Sequence, residues 1–135
     1  ICGIYLPDQH PPQTAATAPP DPVLQLAADQ LREYFAGRRQ SFTVPLRATG
    51  TDFQHTVWRA LLTIPHGETR SYGALARAIA RPTASRAVGH ANSKNPISIL
   101  VPCHRVIGSD GALTGYAGGA AAKQWLLTHE ATTPR

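Results

Sequence analysis

Cys103, His104 and Arg105 stand in a row after a proline, and Glu130 follows near the end of the chain. A thiol attacks as its thiolate, and it reaches that form through a nearby base or a positive field. A histidine oriented by a carboxylate supplies such a base, directly or through a water, and Glu130 is the carboxylate expected to do so for His104. The competing reading is a quiet core cysteine, since lone cysteines after apolar runs pack as small hydrophobes. Two cysteines and six histidines raise the question of metal. No Cys-x-x-Cys and no histidine pair at helical ligand spacing occur, so no metal site and no cofactor are expected within the chain. Gly115-Tyr116-Ala117-Gly118-Gly119 lacks the Lys-Ser/Thr ending of a phosphate-binding loop, and reads as a loop whose backbone N–H groups approach a ligand.

The elements that must position these residues follow from local pattern. Ile97 to Val101 is rich in branched aliphatics and reads as a short buried strand leading into Pro102-Cys103. A last helix from about Ala121, ending near His129-Glu130, is expected to bury Trp125 and Leu126. Upstream, Thr51-Asp52-Phe53-Gln54 has the form of a capping box, with Phe53, Val57 and Leu61 as an apolar stripe behind it. Ser71 can cap a helix over Tyr72 to Ala80, Arg81-Pro82 breaks it, and Thr83 can cap another reaching Ser93. Nearer the start, Ile1 to Leu6 reads as a strand, Gln9 to Pro20 as a proline-rich loop, and Asp21-Pro22 as the start of a helix that Gly37 stops. Val23, Leu24, Ala27, Leu31, Tyr34 and Phe35 fall at helical spacing. Phe42 to Leu46 reads as an extended edge piece.

The two helices around Arg81-Pro82 form a candidate helix-turn-helix. The second carries Ala84, Ala87, Gly89 and Ala91 on one side with Arg86 among them, which suits either close approach to a groove or tight helix packing. Charge favours a polyanion: residues 1–50 hold four Arg against four acids, residues 51–135 nine Lys and Arg against four acids, and the whole chain is +5. The other reading of that charge is a solvated basic surface.

The 135 residues are 42% hydrophobic, enough for a core, and no apolar run is long enough to span a membrane. Two cysteines make no disulfide framework, and no signal peptide is visible, so reduced thiols and a cytoplasmic (intracellular) location are expected. No Met occurs anywhere, position 1 included, which reads as a fragment.

Pro102-Cys103-His104-Arg105-Val106 resembles the reactive motif of the O6-alkylguanine-DNA alkyltransferases, also called methylated-DNA–protein-cysteine methyltransferases. The likeness runs in order through Gly50-Thr51-Asp52-Phe53-Gln54, Ile64-Pro65-His66-Gly67-Glu68-Thr69, Ser71-Tyr72, Ser85-Arg86-Ala87-Val88-Gly89, Asn95-Pro96, Gly115-Tyr116, Trp125-Leu126-Leu127 and Glu130. It implies that Cys103 accepts an alkyl group and that His104 with Glu130 activates it through a bound water. It further implies that Tyr72 contacts the flipped guanine and a phosphate, and that Arg86 fills the stack the base has left. Asn95 would tie the recognition helix to the reactive segment, Val106 would offer backbone groups to the guanine edge, and Tyr116 with the backbone of Ala117 would lie at O6. Some family members hold zinc in the N-terminal domain; the residues for it are not identifiable here, and Cys2 is not nominated.

The resulting expectation is an α/β (α+β) protein. Residues 1–49 are a remnant of an N-terminal α/β domain with its connector. Residues 50–131 are a mostly helical DNA-binding alkyltransferase domain with a winged-helix-like helix-turn-helix and a short active-site strand, and 132–135 are a tail. The expected function is repair of O6-alkylguanine, and of O4-alkylthymine, in double-stranded DNA by base flipping and single-use transfer to Cys103. The protein is expected to act as a monomer, with cooperative binding on DNA left open and no membrane partner. The alternatives are a non-catalytic alkyltransferase-like protein that binds lesions, against which Cys103 itself argues, and a helix-turn-helix regulator.

Overall fold

The computed structural model describes residues 1, 3–4, 21–108, 111, 113, 116 and 119–133. The first helix, α1 (Pro22–Phe35), begins as its sequence dictates: Asp21 accepts from the Val23 N–H at 2.8 Å, and Pro22 occupies the first turn, where its missing donor is no loss. Gly37, at φ +79°, lets the chain turn away. The buried face is Ala27, Gln30 and Tyr34, while Leu24 and Phe35 of the expected stripe are largely exposed. A glutamine is tolerated inside because both ends of its amide are satisfied by Thr43: Nε2 donates to Oγ1 at 2.6 Å and Oε1 accepts from the backbone N–H at 3.0 Å. That pairing also explains why 42–46 forms no strand. Within it the Thr43 backbone is held by Gln30, and just past it Arg47 N–H donates to the Ile1 carbonyl at 2.8 Å, with no strand formed between them. Of the expected strand at the start, Ile4 pairs in a parallel bridge with Ile97; Cys2, Tyr5 and Leu6 lie outside the described residues, as does the proline-rich loop.

The helix α2 (Asp52–Leu61) starts at a complete capping box between Thr51 and Gln54 and buries Val57, Trp58 and Leu61. After β1 (Arg70–Ser71), α3 (Tyr72–Ala78) is capped by Ser71, which accepts from Ala74 N–H at 3.0 Å. The chain reverses through Ala80, at φ +60°, into α4 (Ser85–Ser93). Thr83 does not cap α4. The Ala84 N–H closes a turn onto the Arg81 carbonyl at 2.9 Å, which delays the helix until Ser85 and leaves Thr83 within the turn. Small residues on α4 serve packing as well as access. Ala91 is buried, and its carbonyl accepts from the Trp58 indole at 2.9 Å, whereas Ala87 faces out.

Residues 97–101 are buried as expected, but they coil instead of extending. Leu100 N–H bonds the Ser98 carbonyl at 2.9 Å and Val101 N–H the Ile97 carbonyl at 3.1 Å, with Ile99 at φ +74°. The strand comes later: a 3-10 turn at Cys103–Arg105 leads into β2 (Val106–Ile107), which runs parallel to β1 with Arg70 opposite Val106 and Ser71 opposite Ile107. Gly119, at φ +92°, opens α5 (Ala120–Thr132). Its inward face is Lys123, Leu126 and Glu130, which share one side at helical spacing. Trp125 points away and is 52% exposed, stacked on His129 one turn later at 4.9 Å; its expected burial does not hold. The fold is mixed and mainly helical, as the sequence implied, and among the described residues no helix is long and apolar enough to cross a membrane.

Candidate active site

Cys103 opens the 3-10 turn and is 3% exposed. Three side chains fix that turn to its surroundings. Asn95 donates to the carbonyls of Ile97 and Val101 at 3.3 and 3.0 Å and accepts from the Ile97 N–H at 3.0 Å, so it staples the coil that delivers the cysteine. Asn92, one turn earlier on α4, donates to the Cys103 carbonyl at 3.2 Å. Lys123 of α5 reaches the Val106 carbonyl. The second helix of the pair is therefore hydrogen-bonded to the reactive turn itself.

His104 is fully buried, with Nε2 at 2.7 Å from Glu130 Oε2. A carboxylate accepts only, so Nε2 carries the proton and Nδ1 keeps its lone pair. That Nδ1 is buried with no hydrogen-bond partner among the described residues. Burial lowers the His104 pKa, against the pull of Glu130, and keeps the ring neutral. Glu130 feels the opposite balance. Burial opposes its charge, but hydrogen bonds from His104 and Arg105 and the charge of Arg105 outweigh that and hold it well below the usual carboxylate range. Arg105 bonds both carboxylate oxygens, at 2.8 and 3.0 Å, and its remaining nitrogen donates to the Ile64 carbonyl at 2.7 Å.

Burial pushes the Cys103 thiol up to about 11, and the Asn95 amide, the Lys123 ammonium and the backbone N–H groups of Cys103 and His104 work against it. At rest the sulfur is a thiol with a neutral imidazole beside it in sequence. Tyr72 and Tyr116 both feel Cys103: burial first and then the sulfur raise each phenol. Tyr72 begins α3, half-buried, with the Lys123 ammonium 5.8 Å from its ring centre, and Tyr116 is 8% exposed.

The structure thus gathers Cys103, His104, Glu130, Tyr72, Asn95, Val106 and Tyr116 around one turn. Arg86 is not among them; it stands exposed on the outer side of α4. Ala117 lies outside the described residues. Sequence reasoning missed Lys123, Asn92 and Tyr34. Lys123 had a legible signal, since it shares a helical face with Leu126 and Glu130. For Asn92 and Tyr34 no local signal existed, because their partners are distant in the chain. Outside the pocket, Arg77, Arg81, Arg86, His90 and Lys94 are all exposed on the α3–α4 pair, and no Asp or Glu occurs between Ser71 and Ser109. That is a one-sign surface suited to a phosphate backbone.

Family models match in two stretches: "6-O-methylguanine DNA methyltransferase, DNA binding domain" over residues 52–132, and "6-O-methylguanine DNA methyltransferase, ribonuclease-like domain" over residues 2–48. The methylated-DNA–protein-cysteine methyltransferase of Mycobacterium tuberculosis (strain CDC 1551 / Oshkosh) is 60% identical over 112 residues, which are 82% of this chain and 68% of that protein. A crystal structure of Mycobacterium tuberculosis OGT in complex with DNA superposes with a TM-score of 0.79 at 59% identity, covering 81% of this chain and 68% of that one. A leucine variant of the Mycobacterium tuberculosis O6-methylguanine methyltransferase superposes with a TM-score of 0.87 at 50% identity, covering 99% and 82%.

Proposed function

The chain belongs to the 6-O-methylguanine DNA methyltransferase family, and from that membership we propose that it repairs DNA by moving the alkyl group of O6-alkylguanine onto Cys103. The single observation that carries the reading is the buried Cys103 followed by a neutral His104 clamped to Glu130. The thiol proton passes to His104 Nδ1, directly or through a water, as the sulfur attacks the alkyl carbon. The sulfur–carbon bond forms, the carbon–O6 bond breaks, and the electron pair leaves on guanine, which then takes up a proton. Glu130 steadies the imidazolium that results. The thioether is stable, so each molecule acts once.

O6 lies inside the duplex, so the nucleotide must be extruded before this chemistry can begin. The basic α3–α4 surface is the part of the molecule suited to hold the backbone, and exposed Arg86 is free to enter the vacated stack. Within the pocket, Tyr72 and Tyr116 face the sulfur, and Val106 can offer its carbonyl to the guanine edge. That carbonyl already accepts from Lys123, and a carbonyl oxygen has two lone pairs. The backbone of Ala117 is assigned to O6 on family likeness. Asn95 keeps the turn in register. O4-alkylthymine is the second expected substrate. Matches over 2–48 and 52–132 support a division into two units near residue 50, and the second runs through Thr132, the last residue of α5, one residue into the expected tail 132–135. A monomer on duplex DNA, within the cell, completes the reading. Cys103 speaks against a lesion-binding protein that transfers nothing.

The test is direct. The protein is incubated with a duplex oligonucleotide bearing isotopically labelled O6-methylguanine and digested for mass spectrometry. Label should appear once per molecule, on the Cys103 peptide; label elsewhere, or none beside an active relative, overturns the proposal.

A further inference from the structure

The carboxylate that clamps His104 has a donor from outside the reactive segment. Tyr34, fully buried on α1, donates its hydroxyl to Glu130 Oε2 at 2.7 Å, the same oxygen that meets His104 Nε2. α1 lies in the stretch matched by the ribonuclease-like model, and Glu130 in the stretch matched by the DNA-binding model. We propose that Tyr34 is a positioning residue for alkyl transfer: its hydroxyl fixes the Glu130 oxygen that orients His104, so that the N-terminal unit tunes the base serving Cys103. The inference rests on His104 being that base.

Three observations support it. The Tyr34 ring sits among Phe35, Phe42, His66 and His129, with centroids between 5.1 and 6.1 Å away, so a phenylalanine would fill the same space. The hydroxyl is therefore a polar group in an aromatic nest, aimed at one acceptor. Second, the helix is pinned where that hydroxyl leaves it, because His129 Nε2 donates to the Tyr34 carbonyl at 2.7 Å. Third, the phenol cannot ionise: burial first, then the charge and hydrogen bond of Glu130, raise its pKa, so it remains a donor across the working range.

The groups facing this carboxylate come from every element around it. Tyr34 arrives from α1, His104 and Arg105 from the 3-10 turn, and the Gly67 N–H from the segment after α2, at 3.5 Å from Oε1. Lys123 on α5 acts on His104 from a greater distance, as does Tyr116 on the carboxylate. Arg105 spans both oxygens and sets the plane of the carboxylate. Tyr34 adds a neutral donor to Oε2, the oxygen that meets His104. Without its hydroxyl, more of the negative charge falls on His104, whose ring then keeps a proton to higher pH and cannot take one from the thiol.

The experiment is the pH profile of single-turnover alkyl transfer to Cys103, with DNA affinity measured alongside, for unsubstituted protein, Tyr34→Phe, and protein carrying 3-fluorotyrosine at position 34. Tyr34→Phe should react roughly fivefold more slowly at neutral pH, as loss of one hydrogen bond implies, with its acid limb moved up by about half a unit. Its DNA affinity should be unchanged. The fluorinated phenol is a stronger donor, keeps the fold if the phenylalanine variant does not, and should move the acid limb down. Profiles that coincide, or rate losses equal at every pH and matched by lost affinity, overturn the proposal. Failure of the unsubstituted protein to take up label overturns the function and this inference together; label on Cys103 with unmoved profiles overturns this inference alone.

Discussion

The ammonium of Lys123 donates to the main-chain oxygen of Val106, three residues beyond the reactive cysteine, and neither side chain is exposed. A lysine in such a place loses hydration, and burial lowers its pKa while the nearby sulfur raises it. A positive charge at this place opposes the effect of burial on the thiol.

Replacing Lys123 with Met keeps the packing volume and removes that charge. The Cys103 thiol should then rise further, and alkyl transfer at neutral pH should slow roughly tenfold. A single-turnover rate measurement on duplex substrate, with thiolate absorbance followed against pH, checks this. An unchanged rate would remove Lys123 from the chemistry and leave it as a packing residue.

Arg86 touches nothing in the pocket, so its contribution should depend on the state of the DNA. Arg86→Ala is expected to repair duplex substrate about tenfold more slowly, the wedge having offset part of the unstacking cost. Free O6-methylguanine should react at the unsubstituted rate. Equal slowing on both substrates would show that the residue acts on the reaction, not on extrusion.

Acid should weaken the fold through the buried network. Glu130 has a folded pKa below its unfolded one, so its stabilisation is complete above about 4.3 and is lost as pH falls from there toward the folded value. His104 is also lowered in the fold, so the unfolded chain binds its proton first and stability starts to decline below about 6.5. Urea unfolding across pH should show both phases. Glu130→Gln leaves Arg105 without its counter-charge and should cost about 3–5 kcal/mol at neutral pH, with the lower phase flattened. A variant with an unaltered lower phase would contradict the assignment.

Much of this site was legible one segment at a time. Asp21, Thr51 with Gln54, and Ser71 announce their helices because caps are local chemistry. The reactive row is readable for the same reason. What escaped was set by partners far along the chain. Gln30 is buried because Thr43 completes it, and Trp125 is exposed because Lys123, Leu126 and Glu130 take the inner face of α5. The run 97–101 had the composition of a strand, yet Asn95 binds its carbonyls and coils it, a tertiary instruction that no propensity carries. Tyr34 looked like one more apolar rung of a helix until its hydroxyl met Glu130.

Ile99 gives the coil before the sulfur a different meaning. A β-branched residue at φ +74° is held there only because its surroundings leave it no alternative, and it is 3% exposed. A catalyst that cycles needs some slack of this kind returned to it, since its product has to leave and its loops must reopen. A protein consumed by its own reaction has no second round to prepare for. The stretch from Ile97 to Val106 has to admit a base once, and it never has to release a product and reset for another.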